Sequence, residues 1–221
     1  MKKFIIALGI IFYLINPANS QNYDKEELTN ISVYETISPA IVSVAAQLSD
    51  SISEGTGCVI TSDGLILTGY HVVEGAKSID ITMSDGQTYS AKFVAKMKDK
   101  KDLALLKIEP KESLSTVSFG DSEEVKVGQK VLTIGNPFGF SNTLTQGIIS
   151  RIDYVKNRFQ TDAAINPGCS GGPVLNSDGK VIGISQSIYN PDHNISNIGI
   201  GFAIPSNEAV KFIATVNKKQ D

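Results

Sequence analysis

The apolar positions of this chain change rhythm three times. Residues 4–15 form an almost unbroken apolar run. From residue 41 to about residue 204, short apolar stretches alternate with polar ones and are punctuated by Gly, Asp, Asn and Ser. From Ser206 to about Val216 the apolar positions fall three or four apart, the spacing of a helix buried on one face. The middle stretch predicts strands at 41–44, 55–60, 65–67, 78–82, 89–95 and 103–108, with turns at Ser62-Asp63-Gly64 and Ser84-Asp85-Gly86. A second series is predicted at 130–134, 143–149, 158–161, 173–175, 181–187 and 199–204. The polar residues 109–115, which include Pro110, read as the connection between two halves. About twelve short strands in two series predict two antiparallel barrels or a sandwich. Ahead of them, residues 23–30 read as loose, and 28–37 as a short helix that stops before Pro39.

The first rhythm belongs to a separate segment. Lys2-Lys3 precede the apolar run and Ala18-Asn19-Ser20 follow it, the pattern of a signal peptide cleaved before Gln21. The run is shorter than the roughly 20 residues a bilayer span needs, and an uncleaved anchor is the alternative. An exported protein is therefore expected, periplasmic or otherwise in the bacterial cell envelope, with no membrane span after cleavage. The expected divisions are a signal peptide at 1–20, an N-terminal segment at 21–38, a first barrel at 39–112, a second barrel plus helix at 113–217, and a tail at 218–221. A formal net charge of −3 argues against a nucleic-acid partner. Lys96, Lys98, Lys100 and Lys101 cluster, but Asp99 and Asp102 interrupt them, and the stretch reads as a solvated loop. Two cysteines and two histidines, all far apart, make no metal-ligand set, so neither a metal nor a cofactor is expected.

Chemistry concentrates in TDAAINPGCSGGPV, residues 161–174. Ser170 has Gly168 two residues before it and Gly171-Gly172 directly after. Glycines permit a tight turn that aims backbone N–H groups inward, so those of Gly168 and Ser170 suit an oxyanion. A serine hydroxyl also needs a base. His193 sits in the polar loop YNPDHNISN, which would hold an imidazole poorly, whereas His71 lies at the exit of the apolar stretch LILTGYHVV. The acid that orients the base is read as Asp102, directly before the apolar LALLKI, rather than Asp99 between two lysines.

The motifs TGYHVV, DLALLKI, GNPFG, TQGIIS, TDAAINPGCSGGP and IGFAIPSN occur in that order over residues 38–216. Together they resemble the HtrA/Deg family of exported serine proteases. The resemblance implies an all-β fold, the chymotrypsin-like double six-stranded antiparallel β-barrel, with a C-terminal helix and the site between the barrels. It implies His71 as general base, Asp102 as its orienting acid, Ser170 as nucleophile, and the N–H groups of Gly168 and Ser170 as oxyanion hole. It places Ala164 at the base of the specificity pocket, Ile165 on a wall, and Ile188, Phe202 and Ala203 around the rest. Ile184, Ser185 and Gln186 would receive substrate as an added strand. No charged residue lies at the pocket positions, which implies cleavage after small or medium aliphatic residues.

The chain also departs from the family. Cys169 stands where Asn is usual, and Cys58 where a bulky apolar residue is usual. The segment between Ser150 and Thr161 is short, and no PDZ domain is expected after the helix. The two thiols are expected to be free and largely buried. Three functions stay open: a protease acting on unfolded or damaged polypeptides in stress-related quality control, a chaperone-like binding module with weak or no catalysis, and a processing protease with one substrate. A homotrimer is the assembly the resemblance allows.

Overall fold

The computed structural model describes residues 22–97, 101–188 and 197–218. The signal-peptide, Asp99 and His193 readings lie outside them. Helix α1 (Lys25–Ile37) opens the described chain, starting earlier than the sequence reading placed it. The reason is a capping box: the Asp24 carboxylate accepts from the N–H groups of Glu26 and Glu27, while the Glu27 side chain accepts from the Asp24 N–H. Val33 and Ile37 are its buried positions, and a 3₁₀ turn containing Pro39 ends it.

The first half comprises β1 (Ile41–Gln47), β2 (Ile52–Val59), β3 (Leu65–Thr68), the one-turn helix α2 (Tyr70–Val73), β4 (Ser78–Thr82), β5 (Thr88–Ser90), β6 (Lys92–Lys96) and β7 (Ala104–Lys107). Its seven strands form one sheet in the order β5-β4-β1-β2-β3-β7-β6. The single strand expected at 89–95 is thus split at Ala91. Its first arm pairs with β4 and its second with β7, and the Ala91 N–H donates to the Ile79 carbonyl. The two edges are therefore arms of one bent segment, and covalent continuity curls the sheet round. The expected closed six-stranded ladder is not formed in this half, because the bend leaves β5 and β6 with one neighbour each.

The second half does close. Strands β8 (Lys130–Gly135), β9 (Thr143–Asp153), β10 (Arg158–Thr161), β11 (Pro173–Leu175), β12 (Val181–Ile188) and β13 (Gly201–Pro205) form a barrel in the order β10-β13-β12-β11-β8-β9. Helix α3 (Ser206–Asn217) follows β13. Ser206 lies inside the helix rather than capping it, its hydroxyl donating to the Gly120 carbonyl. One apolar core fills the first half and runs on through Leu132, Ile134, Val181, Ile184 and Ile204 to Ala209 and Phe212 of α3. A smaller core, including Val131, Ile149, Phe159 and Val174, lies within the second barrel. Continuity of the larger core fixes the two halves against each other, and the site lies where they meet.

Candidate active site

His71 is carried by α2, just past the end of β3. Val72 and Val73 are buried and anchor the turn, which leaves the His71 side chain about half exposed at 47%. Asp102 precedes β7, whose Ala104–Lys107 pairs with β3 on one side and β6 on the other. The pairing of β3 with β7 brings the turn after β3, with His71, beside the residues before β7, with Asp102, although 31 positions separate the two. Both Asp102 oxygens then serve His71. Oδ1 accepts the His71 backbone N–H at 2.7 Å, and Oδ2 pairs with the ring Nδ1. Two bonds from one carboxylate fix the ring's position and the tautomer that leaves Nε2 for other work.

Ser170 lies in the loop between β10 and β11. Donors from elsewhere hold this loop by its carbonyls. The Thr56 hydroxyl donates to Gly168 at 2.6 Å, the Thr56 N–H to Ser170 at 2.9 Å, and the Cys58 thiol to Gly171 at 3.8 Å. The Cys169 carbonyl accepts from the Gly172 N–H and the Ser185 hydroxyl. Strand β2 of the first half and β12 of the second thus grip the loop together. Gly171 has φ +88°, and a Cβ there would meet Thr68 Oγ1 at 2.5 Å and Gly69 N at 2.6 Å. The serine loop is therefore packed directly against the residues that lead into His71.

The loop's amides are oriented as well. The Cys169 N–H donates to the Asn166 carbonyl, and the Phe138 N–H donates to the Pro167 carbonyl at 3.0 Å. Because a trans peptide points its C=O and N–H in opposite directions, the Gly168 N–H faces away from Phe138. Phe138 has φ +52° and belongs to the GNPFG turn. Buried Asn136 braces that turn by donating to the Val42 carbonyl and accepting from the Asn142 N–H. The Ser170 hydroxyl itself donates to the Gln186 carbonyl at 3.2 Å. A β-bulge between Ser185 and Ser187 places Gln186 outside the regular ladder with β13.

The other sequence-predicted positions are distributed as follows. Ile165, Ile184, Ser185 and Ala203 are buried, Gln186, Ile188 and Phe202 are half-buried, and Ala164 is exposed. Ile165 packs where a Cβ on Gly201 would stand, and the Asn197 side chain donates to its carbonyl at 2.7 Å. The Arg158 guanidinium lies 3.8 Å from the centre of the Phe202 ring, with Asp153 beside it. Thr56, Asn136 and Phe138 were not singled out from the sequence. A threonine in an alternating strand carries no local signal of a bond to a loop 112 residues away. Among the described residues no group of His, Cys, Asp and Glu is arranged to hold a metal, and no helix is long and apolar enough to cross a membrane.

The profile of the trypsin-like peptidase domain family matches residues 55–184. The chain belongs to the trypsin-like peptidases. Within that family the chain is of HtrA/Deg type. It is 47% identical over 183 residues to a probable periplasmic serine endoprotease, DegP-like, of Rickettsia prowazekii, covering 78% of this chain and 35% of that one. It is 49% identical to the magnetosome formation protease MamE of Paramagnetospirillum magneticum, covering 72% and 23%. Among solved structures, the HtrA-type protease AlgW with tripeptide matches with TM-score 0.78 at 34% identity, covering 85% of this chain and 63% of that one. The serine endoprotease from Yersinia pestis matches with TM-score 0.75 at 34% identity, covering 85% and 66%. The chain spans about a third of the DegP-like relative's length and less of the magnetosome protease.

In this HtrA-type domain both cysteines are free and buried, and burial pushes both thiols above the usual range. A buried thiol held neutral is a poor nucleophile and a slow target for oxidation. Alkylation of the unreduced, denatured protein should therefore add two labels, read by intact mass. No added label would mean that the pair is bridged.

Proposed function

We propose that this chain is an exported serine endopeptidase that cleaves unfolded or damaged polypeptides after small or medium aliphatic residues. The observation that carries the proposal is His71, held through two bonds by Asp102, with the Ser170 loop packed against the residue two before it. In the reaction His71 Nε2 takes the Ser170 proton as Oγ attacks the scissile carbonyl, and returns it to the leaving amine. For that step the Ser170 hydroxyl gives up its bond to the Gln186 carbonyl. The N–H groups of Gly168 and Ser170 then receive the oxyanion, since the neighbouring Cys169 N–H is already committed to Asn166. The names of the relatives, periplasmic endoproteases among them, support an exported location. A solved relative described with a tripeptide supports peptides as the class of ligand.

The apolar character of Ile165, Ile188, Phe202 and Ala203 supports the aliphatic preference. The Arg158 guanidinium lies over the Phe202 ring with the Asp153 carboxylate 3.8 Å from its Nε, so its charge already has a counter-ion. One methylene in such a pocket is worth about 1–3 kcal/mol, so selectivity should be broad. Digestion of casein with sequencing of the fragment ends should give cuts mainly after Val, Ile and Ala. A map dominated by Lys, Arg or Glu would overturn the pocket assignment, and a single cut in several unfolded proteins would favour a dedicated processing protease. The chaperone-like alternative draws on the Ser170 hydroxyl being bonded to Gln186. It predicts no reaction with a fluorophosphonate probe.

A further inference from the structure

Asp102 does not sit on a regular element. It is the central residue of a three-residue turn in which the Leu103 N–H donates to the Lys101 carbonyl at 3.1 Å. Downstream the turn is secured by the fully buried Leu103 and Ala104 and by the pairing of β7 on both sides. On the upstream side, the Lys101 ammonium is ion-paired with the carboxylate of Glu208, in the first turn of α3. The two side chains are 32% and 14% exposed, so solvent screens the pair only in part. Lys101 was read from the sequence as part of a solvated loop. The structure corrects this, because Glu208 approaches from the other half of the chain.

Glu208 is itself well held. Ala209 and Phe212 are buried and fix α3 against the larger core. The Glu208 carboxylate also takes the Lys211 ammonium at 3.6 Å. Pairing with Lys101 holds its pKa below the usual glutamate range. The anchor is thus a charged carboxylate that is tied to the second half by its own helix and by Lys211, and that reaches out to the residue beside Asp102.

We propose that Glu208 and Lys101 are positioning residues for the triad, in that their ion pair fixes the upstream side of the turn that presents Asp102 to His71. The proposal rests on the triad reading given above. Both Asp102 oxygens are used by His71, so a small shift of the turn weakens the backbone bond and the ring bond together. Misplacement by about an ångström at a reacting constellation can cost up to about a hundredfold in rate. Asp102 also stabilises the imidazolium that forms when His71 takes the serine proton, so its drift weakens that stabilisation. The acid limb of the rate profile then moves to lower pH as kcat falls.

The experiment compares Glu208→Gln, Lys101→Met, the double variant and Lys101→Arg in the full chain, with a fluorogenic peptide ending in Val. Asp102→Asn serves as reference. Glu208→Gln and Lys101→Met should each lower kcat by about tenfold to a hundredfold with KM within about twofold. Both should shift the acid limb of kcat/KM to lower pH. The double variant should be no worse than either single one, because the partners act through one bond. Lys101→Arg should restore most of the rate. Unchanged kcat and an unmoved acid limb in both single variants would overturn the proposal. Loss of folding in both, judged by circular dichroism, would also overturn it, since the pair would then hold the fold rather than the acid. If Asp102→Asn keeps full activity, the triad reading fails instead, and the two failures are thereby distinguished.

Discussion

Ser170→Ala is expected to lose about 10⁴-fold or more in kcat/KM while its melting temperature stays within a degree or two. Both halves of that expectation come from the serine's surroundings. Its hydroxyl makes one bond, to the Gln186 carbonyl at 3.2 Å, in a half-buried position that water can refill. Its backbone carbonyl, which holds the loop to Thr56, is untouched by the substitution. Stability therefore has little to lose, whereas the attacking oxygen is gone altogether. His71→Ala should cost about as much, and combining the two should add little, because members of a triad act as a unit. Whatever rate survives over water belongs to the oxyanion donors and to binding. Steady-state kinetics beside a thermal melt make the measurement. If His71→Ala keeps substantial activity and His193→Ala does not, the base has been misassigned.

The second large effect is expected at Gly171, and here fold and function should fall together. At φ +88° an L-residue is strained by about 1–2 kcal/mol. The methyl group of Ala would also press on the backbone of Thr56 and Gly69 and on the Thr68 hydroxyl, and backbone cannot yield as a flexible side chain can. Overpacking of this kind costs about 1–3 kcal/mol more. In a domain of this size each kcal/mol lowers the melting temperature by about 2–4 °C, so Gly171→Ala should melt roughly 5–15 °C lower. Its rate should fall at least a hundredfold, because the residues displaced lead directly into His71. Gly75→Ala is the control. Gly75 also has positive φ, +74°, but nothing stands within 4 Å of its absent Cβ, so that variant should keep full activity and lose about 1–2 kcal/mol at most. Equal melting temperatures for the two variants would show that strain alone, and not crowding at the serine loop, sets the cost.

Much of the frame was legible because strands announce themselves locally. The alternating SIDIT of β4 and the apolar LILT of β3 need no distant information, and the glycines around Ser170 are readable as a turn. The structure seats His71 and Asp102 together because one strand pairing, β3 with β7, lies between their positions. What stayed hidden depends on partners far away in sequence. Thr56, Asn136 and Phe138 acquire meaning only when β2 and the GNPFG turn meet the serine loop. Lys101 looked solvated because its neighbours are charged, and Glu208, 107 residues on, carries no sign of its partner. The Asp24–Glu27 capping box was local and readable but was passed over because its neighbours are polar. The bend at Ala91 had no glycine or proline to mark it.

The grip of β2 on the serine loop ties assembly of the proposed site to completion of the whole fold. With only the second half folded, the carbonyls of Gly168, Ser170 and Gly171 lack the donors that Thr56 and Cys58 supply, and the loop keeps only its bonds to Ser185, Phe138 and its own backbone. With only the first half folded, His71 and Asp102 meet without Ser170 beside them. A partly folded chain therefore holds the parts of the proposed site without their arrangement, and the last step of folding is what brings them together.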